Sequence, residues 1–122
     1  MMDILSAIRE KITQGKYEFS KHAVDQSIIR KIDVIEIQEA ISNRSKIIED
    51  YPDDKYGASC LILGFTLAGR PLHLQCSYPS RTLIKLITLY EPDDDLWINS
   101  EIRKKNSLGG YSSWKKQWLK QP

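Results

Sequence analysis

The sequence predicts an α+β fold in which N-terminal helices pack on one face of an antiparallel β-sheet. Three observations predict it. The first half of the chain repeats its apolar residues at helical spacing, as in Ile4, Leu5, Ile8 and Ile12. The second half holds three apolar runs of strand length, CLILGFTL (60–67), LHLQC (72–76) and LIKLITLY (83–90). Short segments around Gly69-Arg70-Pro71 and Tyr78-Pro79-Ser80-Arg81 separate these runs, and connections that short most simply give a meander. Such a sheet needs one face covered, and the helices upstream are available to cover it.

In chain order, Asp3 caps a first helix over 4–14, which Gly15 stops. Residues 16–19 read as a short strand or an extended lead-in. Ser20 caps a second helix beginning at Lys21, with Ala23, Val24 and Ile28 as its apolar stripe; the pattern is lost near Arg30-Lys31. Asp33 and Glu36 have the form of a capping box. They open a third helix that carries Val34, Ile37, Ala40 and Ile41 and ends near Asn43. A strand over 46–50 closes at Tyr51-Pro52-Asp53-Asp54, and the three runs above follow. Pro92 then starts a short turn or helix whose N-terminal end suits Asp93, Asp94 and Asp95, with Trp97 packing it down. Residues 107–113, with Gly109-Gly110, read as a flexible breaker, and 114–119 as a last helical turn.

This divides the 122 residues into one α+β domain over 1–100 and a basic tail over 101–122. With 41% apolar and 28% charged residues the composition is that of a globular protein. No apolar run approaches the roughly 18 residues of a membrane span and no signal peptide opens the chain, so the expected location is cytoplasmic, away from membranes. Cys60 and Cys76 lie mid-strand and read as buried thiols, without zinc-site spacing, so neither a metal nor another cofactor is expected. The formal net charge of +2 hides an asymmetry. From Ile102 onward there are six basic residues and no acid, against 12 basic and 16 acidic residues before it. Tyr111, Trp114 and Trp118 are interleaved with those cations. The tail is therefore either a solvated terminus with its aromatics tucked onto the core or an arm that binds RNA through Lys104, Lys105 and their neighbours.

Strand alternation sorts the side chains by face. Leu72, Leu74 and Cys76 point one way, and His73, Gln75 and Ser77 the other. If Leu72, Leu74, Ile87 and Leu89 meet the helices, then His73, Gln75, Thr88 and Tyr90 converge on an uncovered face. Imidazole and phenol are acid–base groups, and amide and hydroxyl groups position a phosphate, so this set suits metal-free cleavage of RNA by its own 2′-hydroxyl. Arg70, Arg81 and Lys85 are the cations available to neutralise the phosphorane. The competing reading is structural: a strand histidine is commonly a half-buried hydrogen-bonding residue, and Thr and Tyr are good strand formers. His22, opening the second helix, either joins His73 or caps its own helix. A phosphate-binding Walker loop, a dinucleotide glycine pattern, an HExxH pair and a nucleophile elbow are all missing, which excludes the commonest nucleotide, zinc-protease and hydrolase classes.

Several segments carry a family resemblance. They are FSKHA (19–23), Arg30, Ile32 and the cap Asp33, IIEDYPDD (47–54), LILG (61–64), GRPLHLQCS (69–77) and LITLYEPDDDLW (86–97). Over roughly 17–97 the chain resembles the domain-of-unknown-function family numbered 4258. The resemblance implies kinship with RelE- and MqsR-type mRNA interferases, which are metal-independent endoribonucleases built from helices on an antiparallel sheet. It also implies a small zinc-finger antitoxin as partner and RNA as substrate. Its matching candidate residues are His22, Arg30, His73, Thr88 and Tyr90. Where members carry arginines on the second helix this chain has Gln26 and Ile28, and where many have glycine before Ile32 it has Lys31. The expected function is thus a toxin-like ribonuclease, with a non-catalytic protein-interaction module or an RNA-binding domain as the alternatives.

Overall fold

The computed structural model describes residues 3–104. The expected breaker, the last helical turn, Lys105 and the rest of the basic tail lie outside the described residues. The elements run α1 (Ile4–Thr13), β1 (Tyr17–Phe19), α2 (Lys21–Ile29), α3 (Val34–Ser42), β2 (Lys46–Tyr51), β3 (Ser59–Phe65), β4 (Pro71–Ser77), β5 (Ile84–Tyr90), β6 (Trp97–Ile98) and β7 (Ile102–Arg103). The fold is α+β, with three helices on one face of a five-stranded sheet in the order β1-β5-β4-β3-β2.

Local chemistry sets the helix ends. Asp3, Ser20 and Asp33 each accept a backbone N–H three residues on, and Asp33 with Glu36 completes the capping box. The α2 terminus closes in a left-handed turn: Ile32 N–H donates to Ser27 O and Lys31 N–H to Ile28 O, with Lys31 at φ 55°. A glycine suits that backbone best, which gives a physical reason for a glycine at this position.

The sheet is mixed rather than antiparallel throughout. β2 to β5 form the expected meander, but β1 pairs with β5 in parallel, Tyr17 opposite Ile84. Three residues are too few to carry an alternation signal, so the direction of β1 is set by tertiary structure.

The core lies between helices and sheet, where Ile8, Ile12, Ile37 and Ile41 meet Leu72, Leu74, Cys76 and Leu89. Gly64 on β3 brings the sheet against α3 so closely that a Cβ there would stand 1.9 Å from Ala40 O. Two expected core residues are not in it. Val34 is exposed, and Ile87 is the extra residue of a β-bulge between the pairs Gln75–Thr88 and Cys76–Leu86. The bulge reverses the parity of β5, so Ile84 and Leu86 share the helix face with Leu89. Of the expected α2 stripe only Ala23 is buried, together with Gln26, and Val24 and Ile28 face solvent. Gln26 accepts from Arg30 Nε at 2.7 Å, so a polar pair holds that side of the helix. Beyond β5, Asp93 anchors a turn that leads into the β6–β7 hairpin, accepting N–H groups from Asp95, Leu96 and Trp97. The hairpin draws Ile102 and Arg103 into the folded unit, past residue 100.

Candidate functional site

The face of the sheet away from the helices has a sealed end and an open end. At the sealed end, cross-strand partners His73 and Tyr90 meet as alternation predicts, with Nδ1 and the phenol oxygen 3.2 Å apart. They are not on an uncovered face: His73 is 0% and Tyr90 2% exposed, because the β6–β7 hairpin covers them. Trp97 packs edge-on to the imidazole at 4.4 Å, and His73 Nε2 lies 2.5 Å from Ser100 O. A carbonyl only accepts, so Nε2 carries the proton and Nδ1 accepts from the Tyr90 hydroxyl. Asn99 and Ser100, at φ 53° and 62°, form the tight hairpin tip that aims this carbonyl inward. Arg103 stacks over Trp97 at 4.4 Å and pairs with Glu49 at 2.9 Å, clamping the hairpin to β2.

Burial is the leading cause that lowers the His73 pKa to about 4, against a smaller raising effect of the Ser100 carbonyl, so the ring is neutral near pH 7. Burial likewise raises the Tyr90 phenol above its ordinary value. A neutral imidazole with both nitrogens engaged and no solvent contact is a structural group in this state. Thr88 is also fully buried, and neither its Oγ1 nor Gln75 Oε1 has a hydrogen-bond partner among the described residues. His22 is not brought to His73. It lies on the first turn of α2, whose Ala23 is in the helix-side core, and burial lowers its pKa.

The candidate cations also divide. Arg70 is a staple: it donates to Glu91 and Glu36 and to the carbonyls of Lys31 and Arg30. Arg30 is held by Gln26. Lys104 is exposed at the end of the hairpin. Arg81 and Lys85, by contrast, line one cavity of about 460 Å³ with Ser20, Tyr56, Ser77, Tyr78 and Ser80. Neither side chain has a hydrogen-bond or ion-pair partner among the described residues. The antiparallel order explains the cavity, since the β2–β3 and β4–β5 loops emerge at the same end of the sheet.

Most of the hydroxyls there are committed to structure. Ser20 Oγ donates to Ile87 O at 2.7 Å, Ser77 Oγ accepts from Lys85 N–H at 2.8 Å, and Tyr78 donates to Asp50 Oδ1 at 2.5 Å. Desolvation and the Asp50 bond push the Tyr78 phenol up to about 12. Sequence reasoning named Arg81 and Lys85 but missed Tyr56 and Tyr78. The signal was there in two turn segments, YPDDKYGA and SYPSR, which a meander must bring together. Among the described residues no group of three His, Cys, Asp or Glu side chains could hold a metal, and no helix is long and apolar enough to cross a membrane.

No curated protein and no solved structure matches the chain. A family match covers residues 19–91, from the end of β1 to just past β5, and so takes in both His73–Tyr90 and the residues lining the cavity. That is more than half of the 122 residues, and the chain belongs to the family described as Domain of unknown function (DUF4258).

Proposed function

We propose that the domain acts on RNA at the Arg81–Lys85 pocket, as the toxin-like component of a toxin–antitoxin pair. In this reading it is a cytoplasmic, metal-independent mRNA endoribonuclease related to RelE and MqsR. The observation that carries it is a pair of cations, unpaired among the described residues, in one half-open cavity lined with hydroxyl side chains. A phosphodiester fits such a site through its anionic oxygens. In cleavage the bond from the 2′-oxygen to phosphorus forms as the bond from phosphorus to the 5′-oxygen breaks. The 2′ proton leaves to water and the departing oxygen takes a proton from water, since the cavity opens to solvent. Arg81 and Lys85 neutralise charge on the phosphorane, where one well-placed donor contributes on the order of 10²–10³ in rate. His73 and Tyr90 then serve the fold rather than the proton transfers.

The test is expression-induced growth arrest, together with RNA cleavage in EDTA by the purified chain. Wild type is expected to arrest growth and cut RNA. Arg81→Gln/Lys85→Gln should do neither while unfolding at the same denaturant concentration. A wild-type protein that leaves RNA intact sinks the ribonuclease reading.

A protein-interaction module is the second reading, and a different observation favours it. Val24, Ile28, Ile29, Val34 and Ile35 are apolar side chains of α2 and α3 left exposed, Ile28 by 70%. Such a surface suits a partner protein, for which a zinc-finger antitoxin is the natural candidate. Under this reading the partner binds and RNA is not cut.

A further inference from the structure

The charged residues lining the pocket lie on one side of it. Arg81 and Lys85, from the β4–β5 loop and β5, supply its positive charge. The opposite side is formed by the β2–β3 loop, whose lining residues Tyr56, Gly57 and Ala58 carry no charge. A phosphate is drawn to the first side. What the second side offers instead is an aromatic ring. Tyr56 lines the pocket while 77% exposed, and Lys55 Nζ lies 5.0 Å from its ring centroid.

We infer that the pocket seats one unpaired nucleotide of an RNA strand, with its phosphate on Arg81 and Lys85 and its base stacked on Tyr56. This deepens the proposed function and rests on its assignment of Arg81 and Lys85 to the RNA backbone. A cavity of about 460 Å³ holds a ligand of nucleotide size and cannot admit a double helix. A base still paired in a duplex presents its edge, whereas stacking on a side chain needs the exposed face of an unpaired base. The loop tyrosine is therefore the residue that selects single strands, while the cations accept any phosphate.

The experiment is fluorescence anisotropy with the full chain at fixed salt. The probe is a short labelled RNA, 2′-O-methylated to block cleavage, used single-stranded and annealed to its complement. Tyr56→Ser should weaken single-strand binding about 5- to 150-fold, the range expected of stacking one base on an aromatic side chain. Tyr56→Phe should bind like wild type. The duplex should bind more weakly than the single strand and be indifferent to Tyr56. If Tyr56→Ser binds as wild type while Arg81→Gln/Lys85→Gln binds weakly, the stacking inference is overturned and the phosphate site stands. Equal binding of duplex and single strand, or a Tyr56→Phe loss as large as that of Tyr56→Ser, overturns it too. Binding unchanged in Arg81→Gln/Lys85→Gln removes the phosphate site and the proposed function with it.

Discussion

The two ends of one sheet face hold opposite kinds of polar residue. At one end His73 and Tyr90 have versatile chemistry and no access, with Trp97, Ser100 and the Arg103–Glu49 pair closed over them. At the other, Arg81 and Lys85 have access and no partner among the described residues. The comparison teaches that chemical versatility does not identify a site; what matters is whether the group's bonding capacity is already spent inside the fold. His73 has both nitrogens engaged, and Arg70 is bound by two carboxylates and two carbonyls.

The comparison breaks first at the open end. Removing both charges with Arg81→Gln/Lys85→Gln should lower RNA cleavage about 100-fold or more. It should also flatten the single-strand salt dependence by about 0.7 in log–log slope, the value for the one phosphate no longer neutralised. The sealed end predicts the reverse pattern. His73→Ala should cost about 3 kcal/mol in urea unfolding, through a cavity and the absence of two hydrogen bonds, and leave RNA binding unchanged. If the variant stays stable but stops cutting, the hairpin opens in solution and the histidine is chemical after all.

The sealed histidine also sets a pH dependence. Its pKa is lowered to about 4 in the fold, while in the unfolded chain it is about 6.5. Between those values the unfolded state holds the proton and the folded state does not, so stability falls as pH falls from about 6.5 to about 4. The full loss is about 3 kcal/mol, read from urea midpoints across that window. His22 titrates in the same direction, so His73→Gln should shallow the slope without abolishing it. The smallest effects differ in sign. Tyr90→Phe removes the hydroxyl that His73 accepts from and should cost about 1 kcal/mol, whereas Thr88→Val removes an unpartnered buried hydroxyl and should gain about as much. Neither should change cleavage.

Much of the fold was legible in the residues. Caps at Asp3, Ser20 and Asp33, the stop at Gly15 and the meander are local signals, and each appears where short-range chemistry puts it. The alternation that pairs His73 with Tyr90 was legible too. The seal over them was not, because it depends on two two-residue strands whose pairing follows from packing on Trp97 rather than from any pattern. The bulge at Ile87 was equally hidden, since an inserted residue leaves no periodic trace and reverses the face of what precedes it. On α2 the apolar stripe placed Ala23 inside but also Val24 and Ile28, where tertiary packing chose Gln26 instead.

The parallel pairing of β1 with β5 has a consequence for the order of folding. Tyr17 must meet Ile84, sixty-seven residues further along the chain, whereas β3 and β4 are joined by a tight turn. Closing the long loop costs about 2 kcal/mol more than closing a hairpin of a few residues, so β2, β3 and β4 are expected to zip first. During synthesis the first strand emerges early and waits without a partner until nearly the whole domain has left the ribosome. The helices meanwhile carry Ile8, Ile12, Ile37 and Ile41 with an incomplete sheet to cover. A chain interrupted before β5 would therefore be a sticky fragment rather than a smaller working domain.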